Sequence, residues 1–194
     1  MDRESAWIVN DGTDRDEWHK AHWLNISASQ ISKAMTPSGR RNFISNYLTP
    51  RHVDDGQDIY MSHGSRREEM FLGPYMEKRY GIPHNKALFG HPLRRRHVAT
   101  PDGWDPERRV TGEIKTATKP CPRTIPIEYR WQMQWQMYVM GAERGLLVWE
   151  HHSEFVPVNP EPEVRWVERD EEAIFKMVTV ANALLFEIDL ELAA

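Results

Sequence analysis

A chain of 194 residues with 40% hydrophobic and 28% charged side chains has a globular composition and enough length to bury a core. Its single cysteine, Cys121, excludes an intramolecular disulfide framework and any four-cysteine zinc or iron–sulfur site. The net charge of −4 leaves nucleic-acid binding to local patches, and no apolar run approaches the roughly 20 residues of a membrane span.

MDRESAWIVND is no signal peptide, so a cytoplasmic location without membrane attachment is expected. No repeat, low-complexity stretch or long linker divides the chain, and one domain over residues 1–194 is expected. In chain order, 14–35 reads as helical with a break near Leu24-Asn25 and a fresh start around Ser27, where small polar residues precede a helical period. A second helix is expected over 41–48. A longer one begins after Gly64 and kinks or frays at Gly73-Pro74. After Pro83 the texture changes to two short strands within ALFGHPLRRRHVATPDG and a third in RVTGEIKTA, separated by a turn at Gly103. IEYRWQMQWQMYVMG returns to a helical period, with Met133, Met137 and Met140 forming a core stripe. RGLLVWEH reads as a buried strand and EVRWVER as another. A helix over 170–192 with Asp170 as N-cap closes the chain. The fold class is α/β, a central mixed sheet flanked by helices.

The chemistry concentrates in ATPDGWDPERRVTGEIKT. If the segments flanking Gly103 are adjacent strands, Asp102 ends one of them, and Glu113 and Lys115 project from one face of the next, because residues two apart on a strand share a side. Two carboxylates beside a lysine suit a hard divalent cation such as Mg²⁺, with the Ile114 carbonyl as a further oxygen ligand. A lysine there can orient or deprotonate water and stabilise the charge of an in-line attack on a phosphodiester. A bare E-x-K is equally the pattern of an exposed strand with alternating charges; the proline–aspartate before it and the strand–turn–strand context make the signal more specific.

Among other constellations, His19 and His22 form H-x-x-H, but no third or fourth zinc ligand is apparent. His151-His152 ends a strand, where neighbours point to opposite sides. Arg40-Arg41, Arg66-Arg67, Arg94-Arg95-Arg96 and Arg108-Arg109 are basic clusters suited to phosphate or simply solvated. Glu68 and Glu69, with Arg66 and Arg67, also fit a salt-bridged exposed helix face. Gln132, Gln134 and Gln136 read as partly buried amides or an interface.

TPDG and GEIKT together resemble the PD-(D/E)-x-K nuclease core, and more narrowly the lambda-exonuclease family of phage recombination nucleases. Three further blocks match in order: EWHKAHWLNISASQI, HGSRREEMFLGPYME and YRWQMQWQMYVMG, so that the resemblance spans 17–140. It implies a restriction-endonuclease-like core, with Asp102, Glu113 and the Ile114 carbonyl as metal ligands and Lys115 as catalytic lysine. It also implies Glu68 as a further acidic contributor, Gln132 touching water or the scissile phosphate, and Tyr129 supporting it. Ser29 and Thr100 take positions of hydroxyls near a DNA 5′-phosphate, to which hydroxyls and helix amides are natural partners. His22 stands where the family offers an arginine for that phosphate; a histidine charged only at or below neutral pH would weaken the grip at alkaline pH.

The activity implied is Mg²⁺-dependent exonucleolytic resection of linear double-stranded DNA, 5′ to 3′, with Mn²⁺ as a substitute. The 3′ tails would serve a single-strand annealing protein in recombination. A homo-oligomeric ring, commonly a trimer, is implied as well, and would let arginines line a channel inside an acidic exterior. The alternatives are another nuclease on the same core, RecB-like, CRISPR-associated or structure-specific, and a non-catalytic DNA-binding protein with a relic nuclease fold.

Overall fold

A computed structural model describes residues 6–49 and 59–193. Strand β1 (Trp7–Asn10) is followed by helices α1 (Arg15–Trp23), α2 (Ala28–Ala34) and α3 (Pro37–Leu48). Local chemistry sets their starts. The Asp14 carboxylate accepts from the Asp16 and Glu17 amides, and the Gln30 side chain accepts from the Ser27 amide at 2.9 Å. Thr36 accepts from Gly39 N–H at 3.0 Å. With Pro37 supplying a helical φ in the first turn, that cap starts α3 four residues earlier than its apolar pattern suggests.

Helix α4 (Ile59–Arg67) already covers the residues before Gly64 and runs into a π-helical turn (Glu68–Leu72) and then α5 (Gly73–Tyr80). Pro74 has no N–H to give, and Gly73 N–H reaches back to the Glu68 carbonyl instead. The expected kink is thus a widened turn.

The strands form the expected mixed sheet and, beside it, a second, smaller sheet. β1, β2 (Leu88–His91) and β3 (Arg94–Ala99) make a three-stranded antiparallel sheet. β4 (Gly103–Asp105), β5 (Val110–Ala117), β6 (Arg144–Ser153), β7 (Val156–Pro157) and β8 (Glu163–Glu168) make a mixed sheet. There β5 and β6 run parallel while β4, β7 and β8 pair antiparallel. The neighbour of β5 is therefore β4, not β3, and the turn lies at Pro106–Arg109, beyond Gly103. Pro101 cannot donate to a ladder, so the strand ends at Ala99.

Helices α6 (Ile127–Met140) and α7 (Glu171–Ala193) complete the layers. Asp170 caps α7 through Ala173 N–H at 3.0 Å. Met133, Met137 and Met140 are buried in one large cluster with Trp135, Leu147, Ile174 and Ile188. A second cluster joins Leu72, Met76 and Ile82 to Ile114, Leu146 and Val148. Met76 lies flat on the glycine pair Gly103 and Gly112, which face each other across β4 and β5. A Cβ on either would overlap its thioether. This close approach packs α5 against β4 and β5, and the π turn before it brings Glu68 towards Asp102. Among the described residues no helix is long and apolar enough to cross a membrane.

Candidate active site

β4 begins at Gly103, opposite Gly112, so β4 leaves the edge of β5 unpaired from Glu113 onward. Asp102 takes the vacated place: its Oδ2 accepts from the Ile114 N–H at 2.6 Å. A residue's N–H and C=O lie on the same strand edge, so the Ile114 carbonyl also faces this side. Ile114 itself packs into the cluster around Met76, while Glu113, on the opposite face, points to α6.

There Glu113 is almost fully enclosed, with 1% exposure. Gln132 Nε2 donates to its Oε1 at 2.7 Å and Gln136 Nε2 to its Oε2 at 2.5 Å. Lys115 Nζ pairs with Oε1 and lies 5.2 Å above the Tyr129 ring. Glu68 arrives from the π turn, its Oε1 3.1 Å from His84 Nε2. The backbone of His84 bridges to Gly103, so this histidine ties the helix bearing Glu68 to the segment bearing Asp102.

Three carboxylates around one lysine leave negative charge uncompensated. Burial raises the Asp102 pKa well above the usual carboxylate range, and the charges of Glu113 and Glu68 push it further, against the pull of Lys115 and the Ile114 N–H. Burial pulls the Lys115 ammonium down, but Glu113 and Asp102 outweigh it and the net direction is up. Lys115 is therefore a cation at neutral pH.

Asp102, Glu113, Lys115, Glu68, Gln132 and Tyr129 thus converge at one sheet edge. Among the described residues, however, no group of three or more His, Cys, Asp or Glu side chains is close enough to hold a metal ion. Each carboxylate is instead turned to a protein donor: Glu113 to two amides and Lys115, Glu68 to His84, Asp102 to the backbone. The donor set still suits a hard divalent cation, being all oxygen and carrying the excess negative charge that raises Asp102.

Of the residues expected at a 5′-phosphate, Thr100 stands two positions before Asp102. Ile26 bridges His97 in parallel, which lays the start of α2 along the strand leading to Thr100. The Thr100 hydroxyl is buried with no hydrogen-bond partner among the described residues. Ser29 is exposed, its Oγ 3.4 Å from that of Ser27. His22 is corrected in one respect: stacked on Trp18 at 4.7 Å, it is lowered to about 4 by burial and by the charges of His19 and Arg15. It is neutral at neutral pH as well as at alkaline pH.

Among the described residues, three of the arginine clusters contribute at least one side chain to an ion pair within the fold. Arg67 forks onto Glu150, Arg108 holds Asp105 and the Tyr80 carbonyl, Arg109 holds Glu143, and Arg96 reaches Asp189 and Tyr47. Two site residues have no catalytic reading in the sequence, His84 and Gln136. Gln136 had a signal, since it stands one turn from Gln132 on the same face of α6; His84 had none, because its role depends on a bridge between distant segments.

A family model, the YqaJ-like viral recombinase domain, matches residues 17–143, more than half of the chain. The chain belongs to this family. The four sequence blocks that span 17–140 lie within the matched region. Among solved structures, an alkaline exonuclease (LHK-Exo) from Laribacter hongkongensis is similar with a TM-score of 0.73 and 24% identity, over 91% of this chain and 93% of that one. Its complex with dAMP is similar with a TM-score of 0.69, also at 24% identity and over the same shares of the two chains. A phage-related exonuclease from Haemophilus somnus 129PT gives 0.69 at 15% identity, over 91% and 98% of the two chains. These likenesses establish the fold, a mixed sheet flanked by helices. A search of curated proteins found no match.

Proposed function

We propose that the chain is a single-domain, Mg²⁺-dependent exodeoxyribonuclease that resects linear double-stranded DNA from its ends, 5′ to 3′. The observation that carries this is the convergence of Asp102, Glu113 and Lys115 on the unpaired edge of β5, with Glu68 and Gln132 closing the site from two helices. Asp102, Glu113, the Ile114 carbonyl and Glu68 would hold the cation. Bound there, Mg²⁺ acts as a Lewis acid, neutralising charge on the scissile phosphate and easing deprotonation of the attacking water.

The chain's own groups do the rest. Lys115, kept cationic by its carboxylate neighbours, donates hydrogen bonds to the attacking water and to the phosphate as charge builds on it. Tyr129 beneath it limits its rotamers, and Gln132 holds one oxygen of Glu113 while its exposed side faces substrate. Thr100, whose hydroxyl has no partner among the described residues, and Ser29 receive the 5′-phosphate; His22 contributes a neutral donor there and no charge.

The family and the exonuclease neighbours support a role in phage-type recombination, in which 3′ single-stranded tails pass to an annealing protein. A homo-oligomeric ring, trimeric by resemblance, would keep the enzyme on its DNA. Asp102→Ala tests the catalytic reading. It should abolish cleavage in Mg²⁺ or Mn²⁺ while duplex binding stays within a few-fold of the parent. Undiminished cleavage by the variant would remove Asp102 from the mechanism.

A further inference from the structure

Gln136 is fully enclosed in α6, and its amide is used unevenly. Nε2 donates to Glu113 Oε2 at 2.5 Å, whereas the buried Oε1 has no hydrogen-bond partner among the described residues. An enclosed carbonyl without a partner is destabilising, and an apolar side chain of the same shape would avoid that cost. The neighbouring buried amide shows the contrast: Gln134 donates to the Glu168 carbonyl at 2.8 Å and accepts from Asp170 N–H at 2.8 Å, so both its ends join α6 to the start of α7. Gln134 serves the fold. Among the described residues nothing around Gln136 uses its carbonyl, and its amide serves Glu113 alone.

The two oxygens of Glu113 are therefore held differently. Oε1 meets Gln132 and Lys115, both of which reach solvent. Oε2 is held from inside by Gln136. A carboxylate is acceptor-only when ionised, so the amide must present Nε2 to it, and in doing so fixes the carboxylate plane.

We propose that Gln136 is a positioning residue for Glu113, anchoring Oε2 from the core so that Oε1 stays aimed at the unpaired edge of β5 for cation binding. The inference rests on the reading of Glu113 as a metal ligand. Partners that orient a ligating carboxylate typically change metal affinity about 10–100-fold when removed, and Gln136→Met and Gln136→Leu remove the donor while keeping the volume.

The experiment measures Mn²⁺ binding to the DNA-free protein by calorimetry and electron paramagnetic resonance, beside thermal melting and cleavage kinetics, for both Gln136 variants and for Gln134→Met. Expected for the Gln136 variants are Mn²⁺ affinity lower by about tenfold or more, a fall in kcat with KM for DNA unchanged, and melting close to the parent. Gln134→Met should do the reverse, melting lower while keeping parental Mn²⁺ affinity. Parental Mn²⁺ affinity in a folded Gln136 variant would overturn the proposal. So would a loss of affinity that tracks loss of stability equally in the Gln134 variant. A parent protein that binds no Mn²⁺ would take down the metal reading of Glu113 itself, and this inference with it.

Discussion

Replacing Asp102 by asparagine removes one negative charge from a place already holding Glu113 and Glu68, and keeps an acceptor for the Ile114 N–H, now bonded at 2.6 Å. In EDTA the variant should be more stable than the parent. Relief of local like-charge repulsion at a functional site is worth about 1–2 kcal/mol, or a rise in Tm of roughly 2–8 °C for a chain of this size. The pH dependence gives the sign. Burial and the two neighbouring carboxylates raise the folded pKa of Asp102 above its ordinary value of 3.8. The native state then holds the proton more tightly than the unfolded chain, and the parent loses stability as pH rises from about 4 through the raised pKa. The gap between variant and parent should be smallest near pH 4 and widen towards pH 8. Saturating Mn²⁺ should reverse the order, because binding at about 100 times Kd stabilises the parent by roughly 2.7 kcal/mol and the variant much less. Melting curves at several pH values, with EDTA and with Mn²⁺, read all of this. An asparagine variant that melts below the parent in EDTA at about pH 8, or by the same margin at every pH, would refute the reasoning.

Gly112→Ala drives a methyl into the Met76 thioether and should cost about 1–3 kcal/mol in urea unfolding; adding Met76→Ala should recover part of the loss. Arg67→Met leaves Glu150, a side chain with 6% exposure, as an unpaired buried charge, costing about 3–5 kcal/mol. The double change with Glu150→Met should be milder than the single one, as denaturant midpoints would show. Because His22 is lowered to about 4, competition between 5′-phosphorylated and 5′-hydroxyl duplexes should give one preference across about pH 7–8.5 in the parent, above the second pKa of the phosphate, about 6. His22→Arg should strengthen that preference by about tenfold, the worth of a charge-assisted hydrogen bond.

Much of this arrangement is legible from residues close in sequence. The two-residue alternation of Glu113 and Lys115, the one-turn spacing of Tyr129 and Gln132, the methionine stripe of α6 and the Asp170 cap are local patterns, and local patterns survive folding. What was not legible depends on partners distant in the chain. β1 and the three-residue β4 are too short to carry a periodic signal. The division into two sheets follows from a bridge between Ile26 and His97 and from the break at Pro101. The early start of α3 was a matter of weighing the Thr36–Pro37 cap above an apolar pattern that begins later. His84 is the clearest case, since its imidazole meets Glu68 and its backbone meets Gly103, two contacts that no spacing rule connects. The arginine clusters were open to two readings in the sequence; Arg67, Arg96, Arg108 and Arg109 have carboxylate partners within the fold, partners distant enough in the chain, for all but Arg108, that adjacency of arginines gave no sign of them.

The central claim is tested most directly by a time course on linear duplex labelled separately at its 5′ and 3′ ends, beside closed circular duplex, in Mg²⁺ with an EDTA control. The account predicts prompt mononucleotide release from the 5′ label, on linear DNA only, abolished by EDTA and by Lys115→Met. Nicking of the circle, or no cleavage of either substrate in Mg²⁺ or Mn²⁺ at several pH values, would contradict it.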